Sequence, residues 1–221
     1  LISKCGNIQP TGTPDPFDIK YYDTSRDYIL DSADGILQRL ETDYLDLLMI
    51  HRYDAFADYG EIASAFEVLK SSGKVRHFGV SNYNPLQFDA LNRYLGGCLI
   101  ANQVECSVFR PDPFLDGTFD QMQAGKMIPM AWSPLGGGFS DRLEKNPQLK
   151  DVLRRVADNA GTESLEEIAL RWLISHPAGI IPVIGTSRVD RMKEAVRASE
   201  QELSRLEFFT ILTAAIGEEM P

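Results

Sequence analysis

Two residues able to move protons or steady a developing charge stand at the ends of apolar runs in this 221-residue chain. Lys4 lies in Leu1-Ile2-Ser3-Lys4-Cys5, where a lysine is costly unless it is paired or used. It can be a Schiff-base nucleophile, a cation that lowers the pKa of a neighbouring acid, or a strand-end residue snorkelling to solvent. His51 closes Leu47-Leu48-Met49-Ile50-His51. Its imidazole can donate to a substrate oxygen, move a proton, or rest satisfied at a core boundary. Ser81-Asn82 and Gln103 offer a hydroxyl and amides that complement a carboxamide, although Ser-Asn before a helix is also ordinary turn chemistry. Trp132 can stack on a flat ring or fill space. Gly136-Gly137-Gly138 form a flexible loop that lets backbone approach a pyrophosphate closely. In Ile184-Gly185-Thr186-Ser187-Arg188-Val189-Asp190-Arg191, helix-start N–H groups, hydroxyls and two arginines suit a phosphate, and equally suit an N-cap beside solvated arginines. His77 and His176 read as structural, and the histidines show no metal-ligand spacing, so no metal is expected.

The elements that must position these groups alternate along the chain. Apolar, β-branched runs predict strands over Leu1–Cys5, Leu45–Ile50, Val75–Val80, Leu99–Val104, Met127–Trp132 and Ile180–Ile184. Each is nearly continuous in apolar character, as parallel strands covered on both faces are. Helical periodicity fills the intervals: Arg26–Leu40, Tyr59–Ser71, Pro85–Tyr94, Pro113–Ala124, Asn146–Ala160, Ser164–Ser175, Val189–Ser199 and Glu202–Ala215. Such alternation means an α/β barrel or a doubly wound sheet. No G-x-G-x-x-G follows a strand, which removes the Rossmann phosphate turn. Polar residues gather where strands end, at Lys4, His51, Ser81-Asn82, Gln103, Trp132-Ser133 and Thr186-Ser187, the rim on which barrel enzymes build their sites. The expectation is one domain over residues 1–221, a TIM (β/α)8 barrel with six of its eight strands present. On that reading the chain starts at the third strand, with two βα units ahead of Leu1. A free-standing open sheet is the alternative.

Composition narrows the partners. A net charge of −10 without any Lys/Arg cluster argues against nucleic acid and anionic lipid. No apolar stretch approaches the ~20 residues of a membrane helix, and the first residues lack the pattern of a signal peptide. Cys5, Cys98 and Cys106 form no C-x-x-C pair, which suggests free structural thiols and a cytoplasmic, reducing setting. No dimer stripe is evident, so a monomer is expected.

Taken together, several segments resemble the aldo-keto reductase family, most of all its bacterial oxidoreductase members. They are Asp43-Tyr44-Leu45-Asp46-Leu47-Leu48-Met49-Ile50-His51, Gly73-Lys74-Val75-Arg76-His77-Phe78-Gly79-Val80-Ser81-Asn82-Tyr83, Asn102-Gln103-Val104-Glu105, Ala131-Trp132-Ser133-Pro134-Leu135-Gly136-Gly137-Gly138, and Ile181-Pro182-Val183-Ile184-Gly185 followed by Arg191. The resemblance implies reversible hydride transfer from NADPH to the carbonyl of an aldehyde or ketone. It matches Lys4 and His51 to the active-site lysine and histidine. Ser81, Asn82 and Gln103 match the groups that hold the nicotinamide carboxamide, and Trp132 the aromatic that stacks on the ring. Ser133, Leu135 and Gly136 match the pyrophosphate loop. Gly185, Thr186, Ser187, Arg188 and Arg191 fall on the 2′-phosphate segment, and Glu194 falls by the adenine.

Three departures follow from the same resemblance. Gly185 stands where many relatives have a lysine, and Ala195 replaces a common asparagine. The family's proton-donating tyrosine and the aspartate that pairs with its lysine match no segment here, and nothing in the sequence marks Tyr21, Tyr22 or Tyr28 as a substitute. The 221-residue piece by itself is therefore expected to be inactive. A non-catalytic NADP(H)-binding regulatory protein and a Schiff-base lyase using Lys4 remain as alternative readings.

Overall fold

The computed structural model describes residues 1–219 and divides into two compact units, Leu1–Asn102 and the residues from Gln103 onward. In the first unit β1 (Ile2–Cys5) is followed by two short strands, β2 (Asn7–Ile8) and β3 (Tyr21–Tyr22). Then come α1 (Arg26–Leu40), β4 (Leu45–Ile50), α2 (Tyr59–Ser71), β5 (Val75–Ser81), α3 (Pro85–Tyr94) and the start of β6 (Leu99–Glu105). In the second unit β6 runs on into a 3₁₀ turn at Asp112–Phe114, then α4 (Thr118–Ala124) and β7 (Ile128–Trp132). The remainder is α5 (Phe139–Glu144), α6 (Pro147–Ala160), α7 (Leu165–Ile174), β8 (Ile181–Val183), α8 (Val189–Ala198) and α9 (Arg205–Ile216). Within the first unit the parallel strands are ordered β1-β4-β5, and within the second β7 neighbours β8, as consecutive βα repeats require.

Within the first unit the parallel register is explicit. Ile2 to Cys5 pair with Leu47 to Ile50, and Leu47 to Ile50 pair in turn with His77 to Val80. β4 is buried along nearly its whole length, as a central parallel strand must be. The helices that cover it have local reasons to start where they do. Asp58 accepts from the N–H groups of Gly60 and Glu61 at the head of α2. Asn84 and Gln87 form a reciprocal capping box on α3, with Pro85 at its first position. Phe66 of α2 stacks on Phe78 of β5 at 3.9 Å between ring centroids.

In the second unit α4, α5, α6, α7 and α9 build a core around Trp172, which is fully buried and donates its indole N–H to the Phe208 carbonyl at 3.1 Å. His176 sits among the rings of Phe114, Phe119 and Phe208, consistent with the structural role expected of it. β7 and β8 are parallel, with Trp132 opposite Val183.

Three local expectations are revised. The helix anticipated over Pro113–Ala124 is split, because Asp116 takes the Thr118 N–H and Gly117 turns left-handed at φ 85°. The loop of Gly136, Gly137 and Gly138 follows its strand as expected, but it leads directly into a further helix, α5, which the sequence does not announce. The segment after β1 contributes the antiparallel pair Asn7–Tyr22 and Ile8–Tyr21, which lacks any apolar periodicity.

β4 and β5 also explain a glycine. A Cβ on Gly79 would lie 2.9 Å from the Ala101 carbonyl oxygen and 3.2 Å from Met49 Cγ. Since the nearest atom is backbone, Gly79→Ala is expected to destabilise the first unit by about 1–3 kcal/mol, read as a lower urea midpoint with an unchanged m-value.

Candidate active site

The parallel register brings the first candidates to one face. Lys4 pairs with Met49, and Met49 with Gly79. Side chains alternate along a strand, so His51 and Ser81, each two residues further on, continue the face occupied by Lys4. The ladder ends with His51 N–H donating to the Cys5 carbonyl at 2.8 Å. Asn82 follows with a left-handed backbone, φ 62°, and its side-chain amide donates to the His51 carbonyl at 3.3 Å and to Ser81 Oγ at 2.8 Å. Ser81 is buried. Lys4, His51, Ser81 and Asn82 thus occupy adjoining strand ends.

Lys4 and His51 line a cavity of about 290 Å³. Burial alone lowers the Lys4 pKa, with no carboxylate offsetting it. Burial, and then the charges of Lys4, Arg52 and Lys20, lower that of His51. Both groups are therefore biased towards their neutral forms. Tyr28 and Asp31 of α1 line the same cavity. Sequence spacing had not singled them out, because a helix that packs beside its own strand carries no local mark of which face looks inward at the rim.

The second unit gathers a larger set. A cavity of about 500 Å³ is lined by Ser133, Leu135, Gly185, Thr186, Arg191 and Glu194 among the expected residues. Gly137 and Gly138 line it in place of Gly136. Gly136 is instead the rigid point of the loop: a Cβ there would meet the Phe109 ring at 2.6 Å. The Arg142 guanidinium lies over that ring at 4.4 Å and donates to the Gly136 carbonyl at 2.7 Å. Ser133 precedes it in a left-handed conformation, φ 49°, a strained state for serine of the kind that clusters at binding loops.

Other expected residues lie elsewhere. Arg188 is turned to Asp190, 2.5 Å from its carboxylate, and its N–H is capped by Thr186 Oγ1 at 3.1 Å; neither Arg188 nor Ser187 lines the cavity. Trp132 and Gln103 are also outside its lining; Gln103 is buried, and Trp132 half-buried at the end of β7. Asp141, Glu166 and Leu170 line the cavity without having been anticipated as binding groups, alongside Ala195, expected where relatives have an asparagine. They come from α5, α7 and α8, and only packing brings them together.

The donor set fits a phosphorylated nucleotide. Arg191 and the first-turn N–H groups of α8 favour an anion. Asp141, Glu166 and Glu194 can accept from ribose hydroxyls or an exocyclic amine. The open space beside Gly137 and Gly138, where a Cβ would meet nothing within 4 Å, leaves backbone accessible. Among the described residues, no group of His, Cys, Asp and Glu could hold a metal ion.

The first unit thus carries a lysine and a histidine at the ends of parallel strands, and the second carries a cavity whose lining suits a phosphorylated nucleotide. The Aldo/keto reductase family model matches residues 12–215, and the chain belongs to that family. It is 39% identical to the uncharacterized oxidoreductase YcsN of Bacillus subtilis (strain 168) and 42% identical to the oxidoreductase YdhF of Escherichia coli (strain K12). Each match spans all of this chain and 74% of the relative. A 6-dehydroglucose reductase of Agrobacterium fabrum is 36% identical over all of this chain and 73% of its own length. Among solved structures, the thermostable aldo-keto reductase Tm1743, crystallised with the inhibitor epalrestat, superimposes with a TM-score of 0.80 at 27% identity. That superposition covers 96% of this chain and 70% of Tm1743. No helix among the described residues is long and apolar enough to cross a membrane.

The lowered His51 pKa has a sign. The unfolded chain takes up the imidazole proton near 6.5 and the folded chain only at lower pH, so this stability is complete above about pH 6.5 and is lost as the pH falls towards the folded value. His176, lowered by burial, acts in the same direction. The urea midpoint should fall between pH 7 and pH 5, and His51→Asn should make that fall shallower; an equal fall in the variant contradicts the assignment.

Proposed function

We propose that this chain carries the cofactor cradle and part of the catalytic group of an NADP(H)-dependent carbonyl reductase, a cytoplasmic monomer whose strands belong to a single (β/α)8 barrel domain. The observation that carries the reading is the 500 Å³ cavity that gathers Ser133, Leu135, Gly185, Thr186, Arg191 and Glu194. Arg191 is the charge for a 2′-phosphate, Glu194 accepts from the adenosine, and the loop of Ser133 to Gly138 faces the pyrophosphate with backbone. Ser81, Asn82 and Gln103 take the carboxamide of the nicotinamide, and Trp132 offers its face to the ring. A reduced nicotinamide, when bound, supplies the hydride.

The chain's own residues do the rest. His51, held largely neutral, donates a hydrogen bond to the substrate oxygen and orients it. Lys4 stabilises the negative charge that develops there, more strongly because the site is partly shielded from water. Arg142 and Phe109 hold the Gly136 turn, so the pyrophosphate loop is set before the ligand arrives.

Proton delivery is the weak point of the described residues. The Lys4 pKa moves through burial alone, so nothing here pairs the lysine with an acid, and no phenol bonded to it supplies the proton. Loss of a positioned general acid typically costs on the order of 10²–10⁴ in rate. The 221-residue chain alone is therefore expected to bind NADPH yet turn over aldehydes at that disadvantage. The same observation favours one second reading, an NADP(H)-binding protein with a regulatory rather than a catalytic role. NADPH oxidation with a panel of aldehydes and ketones, including 6-dehydroglucose, is the direct test. Turnover equal to that of an aldo-keto reductase with a positioned general acid contradicts the first expectation; NADPH binding with no turnover of any substrate in the panel favours the second reading.

Cofactor choice is testable on two residues with opposite outcomes. Arg191→Ala should weaken NADPH binding by about tenfold or more, as loss of a charge-assisted hydrogen bond does, while leaving NADH binding nearly unchanged. A side chain at Gly185 has open space, with nothing within 4 Å of a Cβ, so Gly185→Lys should tighten NADPH binding and raise the NADPH-over-NADH preference. Fluorescence titration with each nucleotide reads both.

A further inference from the structure

α8 carries Arg191 and Glu194 into the nucleotide cavity, yet it is held loosely by apolar packing. Ala198 alone is buried along it, and Val189, Met192 and Val196 are exposed. A helix with so little buried surface needs another anchor to keep two side chains in register with a ligand.

That anchor lies on α7. Glu166 and Leu170, four residues apart, line the cavity. One step of ~100° further round the same helix stand Glu167 and Arg171, also four apart, and both side chains are about 95% buried. They form an ion pair. The Glu167 carboxylate also accepts the Thr162 hydroxyl at 3.3 Å and faces the Arg197 guanidinium of α8 at 3.7 Å. Arg171 donates to Gln201 Oε1, just past the end of α8, at 2.8 Å. A turn later, Ser175 Oγ donates to the Arg171 carbonyl and accepts the Leu203 N–H, each at 2.8 Å. Three of these contacts, Glu167 with Arg197, Arg171 with Gln201 and Ser175 with Leu203, lead from α7 or its end to the C-terminal end of α8 or the segment that follows it, and none of these side chains lines the cavity.

We propose that Glu167 and Arg171 are positioning residues: through Arg197 and Gln201 they fix α8, and so set how tightly Arg191 and Glu194 hold the phosphate-bearing adenosine end of a nucleotide. A buried pair contributes little net stability compared with apolar packing, but it is directional and holds one arrangement. An apolar pair at 167 and 171 could fill the same volume without specifying where α8 sits. This inference rests on reading the cavity as a site for a 2′-phosphorylated nucleotide.

The test uses the whole chain, amide hydrogen exchange over residues 189–198, and titration with adenosine 2′,5′-bisphosphate. Gln201→Ala combined with Arg197→Ala removes the ties while leaving the buried pair in place; Arg171→Met removes the hub and Arg171→Lys keeps its charge. The Gln201→Ala, Arg197→Ala variant and Arg171→Met should both exchange faster across α8, the former with α6 and α7 unchanged, and bind the bisphosphate on the order of fivefold to thirtyfold more weakly. Adenosine 5′-monophosphate should be affected less, and Arg171→Lys should recover part of both effects. Unchanged exchange across α8 in the folded Gln201→Ala, Arg197→Ala variant overturns the anchor, and so does faster exchange with undiminished affinity. If the unmodified chain shows no preference for the bisphosphate over the monophosphate, it is the nucleotide reading of the cavity that fails, while the exchange measurement still decides whether α7 holds α8.

Discussion

The ladder hydrogen bond from His51 N–H to the Cys5 carbonyl closes the register on which the first unit's chemistry depends. Parallel pairing places equivalent residues at equal heights, and alternation sends every second side chain to the same face. Once Lys4 is opposite Met49, the positions of His51, Gly79 and Ser81 follow. A slip of one residue would carry each of these groups to the other face. Burial of β4 prevents the slip, since its apolar residues have nowhere else to go.

Near these strand ends, burial changes the chemistry of what it carries. Lys4 and His51 lose part of their hydration without gaining a carboxylate partner, so both lean towards neutrality. For His51 this favours the neutral imidazole, which can still donate a hydrogen bond to a carbonyl oxygen. In the second unit the balance differs. One arginine faces several carboxylates around a cavity whose glycine loop is stiffened by the Phe109–Arg142 contact. The arginine suits phosphate, the carboxylates suit hydroxyls and amines, and the stiffened loop reduces the ordering cost of binding.

Much of this was legible from residue order. Strand positions agreed to within a residue or two because buried parallel strands are apolar throughout. Most helix starts agreed because Asp58, Asn84, Asn146 and Ser164 are capping residues placed just before periodic segments. The failures have equally local causes. Gly117 breaks a helix whose apolar spacing looked continuous. α5 is too short, at six residues, to declare a period. Arg188, an attractive phosphate ligand by spacing, is captured by Asp190 two residues away, while Arg191 on the next turn is left facing the cavity.

The sequence by itself determined the α/β alternation, the family, and the identities of the groups at the strand ends, because these depend on short-range patterning and contiguous motifs. Only the tertiary structure decided which of those groups share a cavity. It brought Tyr28 and Asp31 beside Lys4, and Glu166 and Leu170 beside Arg191, across gaps in sequence that no periodicity spans. It also placed the Glu167–Arg171 pair beneath α8. Helix and strand patterns record which face of an element is apolar; which neighbour that face meets is set by packing, where contacts distant in the chain are chosen together.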